Sequence, residues 1–396
     1  MRALVFAARS LVRQPGRTAL GIIGIAAVGA LLFDMLLLSR GLVVSFRDLL
    51  DSIGFDVRVT ATDSPLPGGV RLKGATLAAA AVAGLPQVAQ VIPMRTASGE
   101  FVLAGGRVVP AGLTGMDPGT RRPWTIVAGQ DLAPQATPPG IVINELLKDE
   151  IGLPLGSELT LRAGCDPGRA VAAPRTFTLV GVAQFPFDDE AQNTAVVSRE
   201  ALREACGDDR DEADMLMVAS SGGSAAAVAA IKAARPDLFP ITNEQIVARM
   251  QAQGFTYFRQ ISAVLSAITL LFGFLLITVL LTVSVNQRLA EIAALRALGF
   301  SRMRAAADVF VQGALLVGIG GVLAVPLGMA LSIWLDRILK AMPGIPAAMH
   351  FFVFEPRTLV THVALLVATT LLASAYPMWL VARLPIAATL RNEVVG

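Results

Sequence analysis

"ISAVLSAITLLFGFLLITVLLTVSVNQRLAEIAALRALGFSRMR", residues 261–304, changes character part-way along. Residues 261–285 carry no charge and are long enough to cross a bilayer, which takes about 20 apolar residues in a helix. A short charged stretch of helix-forming residues follows at once and closes on Leu298-Gly299. Ile292, Leu295 and Gly299 share one helical face there, and Arg288, Glu291 and Arg296 supply polar groups. Gly299 can end the helix in a left-handed conformation. A solvated loop between membrane helices needs only arginines. An ordered apolar face beside them points instead to docking on a partner.

Composition sets the class. Of 396 residues, 54% are hydrophobic and only 16% charged, against about 25% charged in soluble domains. The net charge is only +3, the arginines sit beside apolar runs, and no aromatic–basic interleaving occurs. Nucleic-acid binding is therefore excluded as a reading.

Working outward, four apolar runs divide the chain. The expected layout is a cytoplasmic amphipathic segment at 1–17, a first span at 18–39, and an extracytoplasmic region at 40–257. A second span at 258–285, the charged stretch at 286–308 and a third span at 309–335 follow. An outer loop at 336–358, a fourth span at 359–381 and a cytoplasmic tail at 382–396 complete it. The first span is longer than a signal-peptide core and no small-residue cleavage pattern follows, so it reads as an uncleaved anchor. Arg2, Arg9, Arg13 and Arg17 precede it, Arg288, Arg296, Arg302 and Arg304 lie between spans two and three, and Arg383 and Arg391 follow span four. Positive charge marks the cytoplasmic side, which places both termini inside. Gly21, Gly24 and Gly29 allow close helix approach. Asp34, near the outer end of the first span, is read as reaching water.

The region between spans one and two reads as α+β, with a β-rich lobe at about 105–190. Val57 and Val59 alternate as in a strand, and a helix from about Thr76 ends near Gly84. Ser198 is placed to cap a helix, and Thr242 with Gln245 forms a capping box. Apolar residues recur at helical spacing from Leu42 to Ile53, and nothing but Gly254 interrupts helix-forming sequence from Asn243 to Arg259. Both ends of the region therefore read as outward continuations of spans one and two. Cys165 and Cys206 fall in this oxidising compartment, which permits a disulfide; sequence leaves their separation open. His350 and His362 lack a metal-ligand cluster. The lysines at 73, 148, 232 and 340 follow leucine or isoleucine, so no phosphate-binding Gly-Lys motif occurs.

"RLAEIAALRALGFSRMR" resembles the segment between the second and third membrane helices of FtsX/MacB-like ABC transporter permeases. The residues carrying the match are Arg288, Glu291, Ile292, Arg296, Ala297, Leu298 and Gly299. "GIVINELLKDEIGLPLGSELTL" and "RTFTLVGVAQFP" are similar to that family's extracytoplasmic core, and "ARLPIAATLRNE" to its short tail. The resemblance implies four transmembrane helices with a large α+β MacB-like periplasmic core domain between helices one and two. It implies an inner-membrane permease, non-catalytic itself, with ATP and Mg²⁺ bound in a dimeric cytoplasmic ABC ATPase. The coupling residues would be Arg288, Glu291, Ile292, Leu295, Arg296, Leu298 and Gly299. Partners would be a second permease copy, as homodimer or heterodimer, membrane lipids, and a periplasmic adaptor or substrate protein in some members. With no fused ATPase, the chain is more similar to the split-subunit members such as the DevC-like and LolC/LolE-like permeases. Export or extraction of a hydrophobic or amphipathic substrate by mechanotransmission is the leading expectation. The alternative is an FtsX-like regulator controlling an extracellular hydrolase or transmitting a signal.

Overall fold

A computed structural model describes residues 12–383 apart from 14, 64–68, 118, 135, 166–171, 255, 288 and 299–300. The amphipathic segment expected before the first span and the tail after residue 383 lie outside the described residues. The chain divides into two units, one at 1–42, 255–337 and 351–396, the other at 43–254 and 338–350.

The first unit is helical. Among the described residues four helices are long and apolar enough to cross a membrane: α1 (Pro15–Ser52), α7 (Thr256–Asn286), α9 (Arg302–Lys340) and α10 (Pro356–Ala382). Each outruns the apolar run that announces it. Ile25, Ile277, Leu281, Leu316, Val317 and Ala373 form their shared core. Without a hydrophobic drive between helices in lipid, close backbone approach supplies packing. A Cβ added at Gly29 would meet Ala324 at 2.8 Å. Helix α9 continues through Pro326. Asp34 differs from its expectation: it is fully buried, and Ser332 of α9 donates to its Oδ1 at 2.6 Å. The polar serine facing it, rather than water, is its neighbour.

The second unit is α+β. A ten-stranded sheet runs β12–β1–β11–β3–β4–β9–β6–β8–β5, with β7 pairing β3 and β8. Its strands are β1 (Val57–Thr60), β2 (Leu72–Lys73, in a separate pair), β3 (Val88–Val102), β4 (Val108–Met116), β5 (Thr125–Gly129), β6 (Gly140–Ile143), β7 (Glu158–Gly164), β8 (Arg175–Gln184), β9 (Thr194–Val197), β10 (Glu212–Ala213, paired with β2), β11 (Met215–Ser220) and β12 (Phe239–Thr242). The span read as a β-rich lobe, 105–190, is joined to the rest because β3 pairs β11, β4 and β7.

Five helices complete this unit: α2 (Ala75–Ala83), α3 (Glu145–Ile151), α4 (Arg199–Ala205), α5 (Ser224–Ala234) and α6 (Asn243–Arg249). Ser198 Oγ accepts from Ala201 N at 3.2 Å at the start of α4. The Thr242–Gln245 capping box opens α6. Val57, Val59, Leu216 and Val218 meet Ala78 of α2 and Ile231 of α5 on one face of the sheet. The helix expected to run unbroken from Asn243 is instead wound as a π-helix over Met250–Gly254.

Candidate functional site

The charged stretch after the second span folds as α8 (Leu289–Ala297). Ile292 is half-buried against Val285, Val309 and Val381 of the chain's own membrane helices, beside a buried Ala293. Arg296 Nη1 donates to Val381 O at 3.4 Å. Sequence periodicity turned Ile292 toward a partner. The short helix instead uses that side chain to seat itself on α7, α9 and α10, since nine residues alone form only a marginal helix. Glu291 is exposed and Leu298 is 80% exposed. The backbone of Leu295 continues the helix. Arg288 and Gly299 lie outside the described residues.

A second constellation lies in the outer unit, where the chain enters and leaves it. The last turns of α1 pack Leu50, with Val43 and Phe46, against Ile246 and Val247 of α6. One side chain fastens these segments. Asn243, 2% exposed, donates from Nδ2 to Leu50 O (3.2 Å), Asp51 Oδ1 (3.0 Å) and Phe55 O (3.1 Å). Its Oδ1 accepts from Arg58 Nη1 at 2.5 Å. The Asn243 backbone N–H reaches Asp56 O at 3.0 Å. Buried amides are expensive unless hydrogen-bonded, and both the nitrogen and the oxygen of this one have partners.

The loop between the third and fourth spans is held against the same unit. Ala347 N donates to Asp188 O at 2.7 Å, Gly344 N to Asp189 Oδ2 at 2.6 Å, and His350 N to Ser45 Oγ at 2.7 Å. Asp188 Oδ2 accepts from Asn144 Nδ2 at 2.8 Å and Oδ1 from Thr194 Oγ1 at 2.7 Å. Burial lifts its carboxyl to about 6. Beside the middle of β3, where β7 ends opposite Ser98, Cys165 and Cys206 are bonded, Cα atoms 5.7 Å apart. Among the described residues no His/Cys/Asp/Glu cluster is arranged to hold a metal.

Two family models match the sequence. One, the MacB-like periplasmic core domain, covers residues 18–234, more than half of the chain; the other, the FtsX-like permease C-terminal region, covers 263–386. The chain belongs to the FtsX/MacB-like ABC transporter permeases. Two solved structures resemble part of the permease. The periplasmic region of MacB from Actinobacillus actinomycetemcomitans matches at 16% identity and a TM-score of 0.37, over 51% of this chain and 95% of that one. The extracellular domain of the noncanonic ABC-type transporter YknZ from Gram-positive bacteria matches at 12% identity and a TM-score of 0.34, over 47% and 99%. Among curated proteins none matches. The assignment rests on the two family models.

Asn243, Arg58 and the Asp188–Asp189 pair make contacts in this permease that sequence reasoning did not reach. Asn243 follows a legible capping box, but its partners lie about 190 residues upstream, and no local pattern records them. Arg58 sits between the two alternating valines and received no reading of its own from the sequence. Its true neighbours come from strands paired across the sheet.

Proposed function

We propose that this permease couples ATP hydrolysis on a separate pair of cytoplasmic ATPase subunits to movement of its outer domain. Export or extraction of a hydrophobic or amphipathic substrate would follow by mechanotransmission. ATP and Mg²⁺ would bind on the ATPases, and a second permease copy would complete the assembly. Both termini would be cytoplasmic, in keeping with the arginine asymmetry.

The observation that carries this reading is α8. It is seated by Ile292 and Ala293 on its own membrane helices, and presents Glu291 and Leu298 outward. An exposed leucine just past the end of a short helix, on the side of an exposed carboxylate two turns earlier, can dock into a partner's groove, with the charge setting register. The refined assignment gives the apolar contact to Leu298 and leaves Ile292 as the residue that positions the helix.

Affinity purification of the full chain from its native membrane tests this. Leu298→Asp and Glu291→Lys should each lower the recovered ATPase activity at least several-fold, with unchanged insertion and an intact Cys165–Cys206 bond. Undiminished ATPase recovery with both variants would place the docking surface elsewhere.

A further inference from the structure

The outer unit holds an open-sided cavity of about 1080 Å³, a little above the roughly 300–1,000 Å³ usual for small-molecule sites. Five of the chain's twelve methionines line it: Met94, Met116, Met215, Met217 and Met250. Three of them form a row across the sheet, Met215 opposite Met94 on β3 and Met94 opposite Met116 on β4. Unbranched thioether side chains adapt to ligands of varied shape. Trp124 and Phe185, with ring centroids 6.3 Å apart, add an aromatic wall.

The charges in this apolar wall are not equally matched. Asp63 is paired with Arg249 at 2.7 Å. The oxygens of Asp188 accept from Asn144 and Thr194. Arg58 is different. It stands opposite Met217 on β11 and Ile241 on β12, hence on the cavity face of β1. It is only 6% exposed, and the neutral Asn243 Oδ1 is its hydrogen-bond partner. It makes no ion pair with a carboxylate among the described residues; Asp51, held by Asn243, acts on it from farther away. Burial lowers its pKa to about 10, so it remains a cation at neutral pH. A guanidinium presents five donors in a fork suited to carboxylate or phosphate.

We propose that this cavity binds an anionic amphiphile, its apolar chain along the methionine row and its carboxylate or phosphate head on Arg58. The proposal narrows the substrate class of the permease reading and rests on it for the link to transport. The binding itself is independent of any ATPase.

Trp124 reports on the cavity directly. With Trp334→Phe and Trp379→Phe it is the chain's sole tryptophan. The full chain in phosphatidylcholine nanodiscs is titrated with 11-bromoundecanoate, 11-bromoundecyl phosphate and neutral 11-bromoundecanol. Saturable quenching by at least one anion is expected, with the alcohol about tenfold weaker or more, as a charge-assisted hydrogen bond requires. The tighter anion separates a fatty-acid-like from a lipid-phosphate-like ligand. Arg58→Gln should abolish the preference over the alcohol and Arg58→Lys should keep part of it. Equal affinity for all three probes, or quenching that rises linearly with lipid partition, overturns the proposal on the unsubstituted cavity, even if Arg58→Gln does not fold. Anion binding alongside normal ATPase recovery in Leu298→Asp would retain the site and reject the docking assignment.

Discussion

Asn243 and Asp51 are hydrogen-bonded at 3.0 Å across about 190 residues of sequence, and through that bond the segment entering the outer domain is tied to the segment leaving it. The same amide bridges onward to Arg58. Asp51, Asn243 and Arg58 thus form a chain of exposed carboxylate, buried amide and buried guanidinium, in which the amide separates the two charges.

Asn243→Ala removes that bridge and leaves Arg58 buried without an acceptor, an arrangement that costs on the order of 2–4 kcal/mol. Hydrogen exchange on the full chain should show protection lost at 50–58 and 242–247 together, and less change at β7 and β8. Loss confined to one of the two segments would mean that Asn243 does not couple them.

Gly41 is required by contact. A Cβ there would lie 2.3 Å from Phe351 O and 2.6 Å from Val353 N, both backbone atoms that cannot rotate away. Alanine normally gains about 1 kcal/mol over glycine inside a helix. Overpacking of this kind costs typically 1–3 kcal/mol, so the sign should reverse. Gly41→Ala should lower the thermal midpoint in nanodiscs. Gly16→Ala, with nothing within 4 Å, should raise it or leave it unchanged. A Gly41→Ala protein as stable as Gly16→Ala would contradict the contact.

Asp188 gives the outer domain a pH dependence of defined sign. Burial, reinforced by Asp189, lifts its carboxyl to about 6 against the opposing bonds from Thr194 and Asn144. Free aspartate titrates near 3.9. The favourable contribution is therefore complete below about pH 4 and is lost as pH rises through about 6, at most about 3 kcal/mol in all. Arg210, with help from Arg95, holds the Asp208 carboxyl far below its usual range, so its contribution fails only below pH 4 and does not overlap. Between pH 4.5 and 7 the unfolding midpoint should fall, and Asp188→Asn should flatten that slope. An identical slope in the variant would rule Asp188 out as its source.

The Cys165–Cys206 bond closes 41 residues of sequence. By unfolded-state entropy such a loop is worth about 4 kcal/mol at most. Cys165→Ser and Cys206→Ser should each lower the thermal midpoint by similar amounts, and the double variant should lower it no further. Additive losses would show that each cysteine contributes separately rather than as a pair.

What was legible in the sequence was local. The four apolar runs, the Ser198 cap and the Thr242–Gln245 box depend on residues within a turn or a bilayer's length of one another, and the structure places helices and caps there. What stayed hidden was made by distant partners. Asp34 sits one turn from the end of an apolar run and reads as wet until Ser332 covers it. Arg58 alternates with two core valines, and nothing near it in sequence shows that its face of the sheet lines a cavity with Phe46, Leu50 and Ile246. Gly254 reads as a tolerable helix residue, whereas the backbone there takes up a wider π turn.

The fifteen-residue β3 extends roughly 50 Å at the usual rise of a strand. Its first half is clamped to β11, its second to β7, and β4 spans the join. One strand consequently runs unbroken through the waist of the outer domain. A tilt imposed on β1 and β11 near Asn243 would be carried as on a stiff beam past the disulfide to the turn between Val102 and Val108, so a small angular input at one end becomes the largest displacement at the other.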